Sequence, residues 1–150
     1  MILREEQIKR YRAISRIAAE RYCTQKHTAS SVIISIRSTW DKEIPKIFAT
    51  EQNGIKDILF LQADDTDRED DDDQIYSLSE EQGRQIADFV NRYYGQVDRI
   101  IAHCNAGQCR SAGVIAAIMR VKEGNDNVVF RNKHPNMTCY LMTLKGFGYI

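Results

Sequence analysis

The stretch Arg99 to Met119, RIIAHCNAGQCRSAGVIAAIM, constrains this chain more than any other. Residues 99–103, RIIAH, predict a buried strand, and residues 111–123 predict an apolar helix stopped at Gly124. Between them lies a loop of small and polar residues with two cysteines, followed by an arginine. Strand, small-residue loop, helix is how a chain builds an anion site. Successive backbone N–H groups converge on one point, and the helix adds the positive end of its dipole and its unpaired amides. Ala106 and Gly107 keep the loop slim enough for a ligand to reach the backbone. Arg110 can place a planar fork of donors on two oxygens of a phosphate. A thiol at Cys104, in that field, should ionise below its usual pKa of about 8.5. A thiolate beneath a bound phosphate is a nucleophile already aimed at phosphorus.

The rest of the chain predicts the surroundings of that loop. Its 150 residues are enough for one domain with its own core. A single domain over 1–150 is expected, with residues 1–30 as a helical extension packed on it. Basic and acidic residues balance at 21 each, so nothing points to a nucleic-acid or membrane partner. The four cysteines, Cys23, Cys104, Cys109 and Cys139, have no metal-ligand spacing. The start, MILREEQIKR, has no signal-peptide apolar region and no run reaches the length of a membrane span. A reducing, cytoplasmic setting is the expectation. Ile8, Tyr11, Ile14, Ile17 and Ala18 recur at helical spacing and predict a helix over 4–22. Strands are predicted at 31–36, 44–48 and 57–63. A helix is predicted at 77–95, capped by Ser77 with Glu80 or by Ser79 with Gln82. The last helix is predicted over 134–148, with Pro135 placed to start it. Strands alternating with helices imply an α/β fold, a mainly parallel central sheet flanked by helices.

The string His103-Cys104-x-x-Gly107-x-x-Arg110-Ser111 resembles the signature loop of the cysteine-based protein tyrosine phosphatases. The compact size resembles the dual-specificity branch and its small bacterial and phage relatives. The resemblance implies a single-domain tyrosine phosphatase-like fold. It implies that Cys104 attacks phosphorus and becomes a phosphocysteine. Arg110 and the amides of Asn105, Ala106, Gly107, Gln108, Cys109 and Arg110 itself would hold the equatorial oxygens. Ser111 would donate to the sulfur and make it a better leaving group, and His103 would orient the loop from behind. The family also places a general-acid aspartate after an earlier strand, where this chain has LFLQADDTD. Asp65 matches best, with Asp64 and Asp67 as alternatives. No metal or cofactor is implied. The implied substrate is a phosphotyrosyl protein or peptide, with phosphoserine and phosphothreonine as an extension.

Two rival readings use the same loop. Rhodanese-like and arsenate-reductase-like enzymes also set a cysteine in an anion loop, and a pseudophosphatase would bind phosphopeptides without turnover. Cys109 stands where many relatives have serine, so oxidation could join it to Cys104 as a disulfide. In the run Asp64–Asp73, eight of ten residues are acidic, which would favour substrates with basic flanks. It is no calcium loop, since Asp70 and Tyr76 stand where glycine and glutamate are needed. Arg37 and Trp40 follow the first predicted strand, where the resemblance implies a loop bordering the pocket; a structural tryptophan is the other reading of Trp40. Cys23 and Cys139 read as packing residues.

Overall fold

The computed structural model describes residues 2–66 and 75–150. Asp67 and most of the acidic run lie outside the described residues. Four strands form one all-parallel sheet in the order β1-β4-β2-β3. They are β1 (Tyr11–Ser15), β2 (Ser31–Arg37), β3 (Ile55–Gln62) and β4 (Arg99–Cys104). The register sets Ser15 beside Cys104 and Ser35 beside His103. The end of the central strand β4 therefore opens at the carboxyl edge of the sheet, where parallel α/β proteins place their ligands.

Period-two alternation divides the core. Val32, Ile34, Ile36, Ile100 and Ala102 face the helices α3 (Glu80–Tyr93), α4 (Arg110–Glu123) and α6 (Met137–Gly146). Ile33 and Ile101 face the other way, onto Ala19, Tyr22 and Cys23 of α2 (Arg16–Cys23). Among the described residues no helix is long and apolar enough to cross a membrane.

The helix expected over 4–22 does not form. The chain makes a short α1 (Glu5–Lys9), then β1, then α2. Tyr11 and Ala13 pack into one core and Ile14 into the other, which is strand alternation. The open edge of β4 supplies hydrogen-bond partners that outweigh a weak helical preference. Ser15 then starts α2 by accepting from the Ala18 amide at 3.1 Å. The N-terminal region thus contributes an edge strand to the sheet rather than a purely helical extension. The strand expected over 44–48 is also absent. Pro45 has no N–H for a ladder, and the Lys46 amide bonds the Glu20 carboxylate instead, at 2.9 Å. A short α5 (Asn127–Asn132) was not foreseen, and α6 starts at an Asn136 cap, one residue after Pro135.

Of the two capping boxes, Ser79 with Gln82 is the one that forms. Helices α3 and α6 cross so closely that a Cβ on Gly83 would lie 2.1 Å from the Met142 carbonyl oxygen. Gly83→Ala gains helix propensity, about 1 kcal/mol, but must push two backbones apart. A net loss of about 1–3 kcal/mol is expected. The readout is a lower urea midpoint at unchanged slope; a raised midpoint would contradict so close a crossing.

Candidate active site

The loop between β4 and α4 is held from outside by its carbonyls. The Asn105 carbonyl accepts from the Arg16 amide at 3.1 Å, and that of Gly107 from Lys133 Nζ at 2.7 Å. The Gln108 carbonyl accepts from the His134 amide at 3.0 Å, and that of Cys109 from the Asn136 amide at 2.8 Å. A planar trans peptide points its N–H opposite to its carbonyl. Carbonyls drawn outward therefore turn the amides of residues 106, 108, 109 and 110 the opposite way, inward. Gly107 has φ 75°, and a Cβ there would lie 2.4 Å from the Ile14 carbonyl carbon. Glycine is thus required because the β1–α2 junction backs the loop, a closer neighbour than the ligand the sequence suggested.

Cys104 is buried, with Ser111 Oγ 3.2 Å from its sulfur and the Gly107 amide donating at 3.3 Å. Burial alone would push the thiol pKa up. The Ser111 hydroxyl and amide, the Gly107 amide and the Arg110 charge outweigh it, and the pKa falls below the ordinary value. His103 is fully buried behind the loop. Its Nδ1 lies 3.2 Å from the Cys104 carbonyl and its Nε2 2.6 Å from Ser35 Oγ. A carbonyl only accepts, so Nδ1 carries the hydrogen and Ser35 donates to Nε2. Burial lowers the ring's pKa and keeps it neutral.

Arg110 is anchored by one nitrogen. Its Nη1 donates to Ser38 Oγ at 2.9 Å and to the Ala63 carbonyl at 3.0 Å. Its Nε is buried without a hydrogen-bond partner among the described residues. An unpaired buried donor costs about 1–3 kcal/mol, more when charged. A guanidinium donor of this kind is suited to an anionic oxygen.

The neighbouring aspartates have separate environments. Asp64 is buried and saturated. It accepts from the Thr39 amide at 2.8 Å, the Thr39 hydroxyl at 2.7 Å and the Tyr76 amide at 2.8 Å. Burial would raise its pKa, but these donors and Arg110 hold it below the usual carboxylate range. It ties the segment after β2 to that after β3. Asp65 is exposed and accepts from Asn136 Nδ2 at 2.9 Å. Asp65 and Cys109 both line a cavity of about 620 Å³ with Phe130, His134 and Met137. Cys109 is a free thiol whose pKa is pushed up by burial and by the Asp65 carboxylate. Trp40 stands exposed, and with Arg37, Ser38 and Asn105 it lines a small hollow. Cys23 and Cys139 are buried in the two cores, as packing residues would be.

The structure places His103, Ser111 and Arg110 around Cys104. Ser38, Lys133, His134 and Asn136 were not singled out. Only the Pro-Asn pair ahead of the last helix hinted at a cap, and nothing in it pointed to the loop.

No family model matches the sequence, and no curated protein matches it. Solved structures do resemble it in shape. A variant of human DUSP28 superposes with a TM-score of 0.59 at 14% identity, over 93% of this chain and 94% of that one. The human tyrosine phosphatase-like serine/threonine/tyrosine-interacting protein gives 0.56 at 17%, over 81% and 78%. Tk-PTP in its active form gives 0.52 at 14%, over 93% and 90%. The chain has the tyrosine phosphatase-like fold. At such identities the likeness is one of fold.

Proposed function

We propose that the chain is a cysteine-dependent phosphatase acting on phosphotyrosyl proteins or peptides, and on phosphoserine and phosphothreonine where they fit. The observation that carries this reading is Cys104. Its pKa is lowered within a ring of inward amides, beside the unpaired Nε of Arg110. The phosphoryl group binds with its equatorial oxygens on the amides of residues 105–110 and on Arg110. Cys104 sulfur attacks phosphorus in line as the bond to the leaving oxygen breaks, and Asp65 gives that oxygen its proton. Water then displaces the sulfur, with Asp65 taking a proton from it and Ser111 donating to the departing thiolate. His103 holds the Cys104 carbonyl and takes no part in proton transfer. The nucleophile is the chain's own sulfur, so a bound metal has no assigned task.

Hydrolysis of p-nitrophenyl phosphate, undiminished by a chelator, with phosphate trapped on Cys104 after acid quench, is the expected result. Turnover that needs a metal, activity on thiosulfate or arsenate instead, or phosphopeptide binding without turnover would each overturn the reading.

The acid assignment has its own test. Asp65→Asn should slow a substrate with a poor leaving group, such as phenyl phosphate, by about 10²-fold or more. Asp64→Asn puts an amide against three donors, so its expected effect is a lower melting temperature. Should Asp64→Asn remove the leaving-group advantage and Asp65→Asn leave it intact, the two roles are reversed.

A further inference from the structure

We infer that Asn136 is a positioning residue that sets the orientation of the proton donor. This rests on the reading of Asp65 as the general acid. Asn136 is buried, at 6% exposure, and all of its polar groups are engaged. Its Oδ1 accepts from the Cys139 amide at 2.9 Å and caps α6. Its Nδ2 donates to Asp65 Oδ1 at 2.9 Å and to the Thr66 carbonyl at 3.1 Å. Its backbone amide donates to the Cys109 carbonyl at 2.8 Å. Cys139 offers only a donor at this distance, and Thr66 only an acceptor. The carboxamide therefore has one orientation, and its nitrogen faces Asp65.

One residue thus holds the anion loop through its backbone and the acid through its side chain. The consequence is chemical. With Asp65 Oδ1 already accepting a hydrogen bond from Asn136, the transferable proton resides on Oδ2. When Oδ2 gives that proton to the leaving oxygen, the carboxylate that forms keeps its Asn136 donor. Asn136 touches no reacting atom, so its effect should scale with how much the leaving group needs a proton.

Asn136→Ser is the informative variant. Serine still caps a helix and keeps the backbone bond to Cys109, but it has no N–H to offer Asp65. Phenyl phosphate turnover should fall about tenfold further than turnover of a strongly activated aryl phosphate, the scale of one hydrogen bond to a charged group. In an Asp65→Asn background that extra fall should vanish. Asn136→Asp, equal in size and also a cap, should lose the same advantage, because it too has no N–H for Asp65. An equal fall for both leaving groups would make Asn136 merely structural, as would an extra fall that persists without Asp65. If Asp65→Asn itself shows no leaving-group dependence while phosphocysteine still forms, this inference fails and the nucleophile assignment stands. If the unaltered chain forms no phosphocysteine, the proposed function fails first.

Discussion

Cys104→Ser should reduce turnover of any phosphate monoester by a factor on the order of 10⁶, the scale seen when an enzyme's nucleophile is removed. A hydroxyl in the same place is far less acidic than a thiol, and the field that ionises sulfur cannot ionise it at neutral pH. The rest of the anion site should survive. The inward amides depend on carbonyls held by Arg16, Lys133, His134 and Asn136, none of which touches the sulfur. Arg110 keeps its bonds to Ser38 and Ala63. The variant should therefore bind tungstate or a phosphopeptide as tightly as the unaltered chain, or more tightly, since one negative charge has gone. Isothermal titration together with an aryl phosphate assay separates the two effects. Retained turnover in the variant would mean that the nucleophile is not Cys104. Loss of oxyanion affinity with turnover would mean that the sulfur shapes the loop.

The lowered pKa adds a pH dependence with a definite sign. Cys104 should remain open to alkylation at pH values where an ordinary thiol is protonated and slow. Ser111→Ala removes a donor to the thiolate, so it should raise the pH at which alkylation reaches half its maximum. An alkylation profile matching that of a free thiol would contradict the electrostatics of the loop.

What could be read from the sequence follows the range of the interactions. The anion loop was legible because its parts lie in one contiguous stretch: Cys104, the glycine at 107, Arg110 and Ser111 need only each other's spacing. The capping box of Ser79 with Gln82 and the stop at Gly124 are local in the same sense. Residues 11–15 are ambiguous in sequence because their apolar spacing fits both periods, and the deciding partner, β4, lies far along the chain. Ser38 and Asn136 could not be recognised, since each acquires its role only when distant segments meet. Asp64 and Asp65 show the same limit. Adjacent and chemically identical, they differ only in what surrounds them. Three donors from residues 39 and 76 immobilise one and leave the other at the cavity mouth.

Arg110→Lys tests the other half of the site. Lysine keeps the charge but supplies a compact ammonium in place of a planar fork. In the unaltered chain Nη1 is spent on Ser38 and Ala63, which leaves the Nε side of the guanidinium for the ligand. A lysine ammonium cannot serve both. If it turns to the Ala63 carbonyl, the oxyanion loses its donors; if it turns to the oxyanion, Ala63 and Ser38 lose theirs and the segments after β2 and β3 are released. Charge on the equatorial oxygens matters most in the transition state, so kcat should suffer more than KM. A fall of about 10³-fold in kcat is expected, the upper end of what one lost oxyanion donor costs. Melting temperature should change little if the ammonium chooses Ala63 and should drop if it chooses the ligand, so the pair of measurements also reports which choice is made. A lysine variant within tenfold of the parent in kcat would show that charge alone suffices and that the unpaired Nε has no catalytic part.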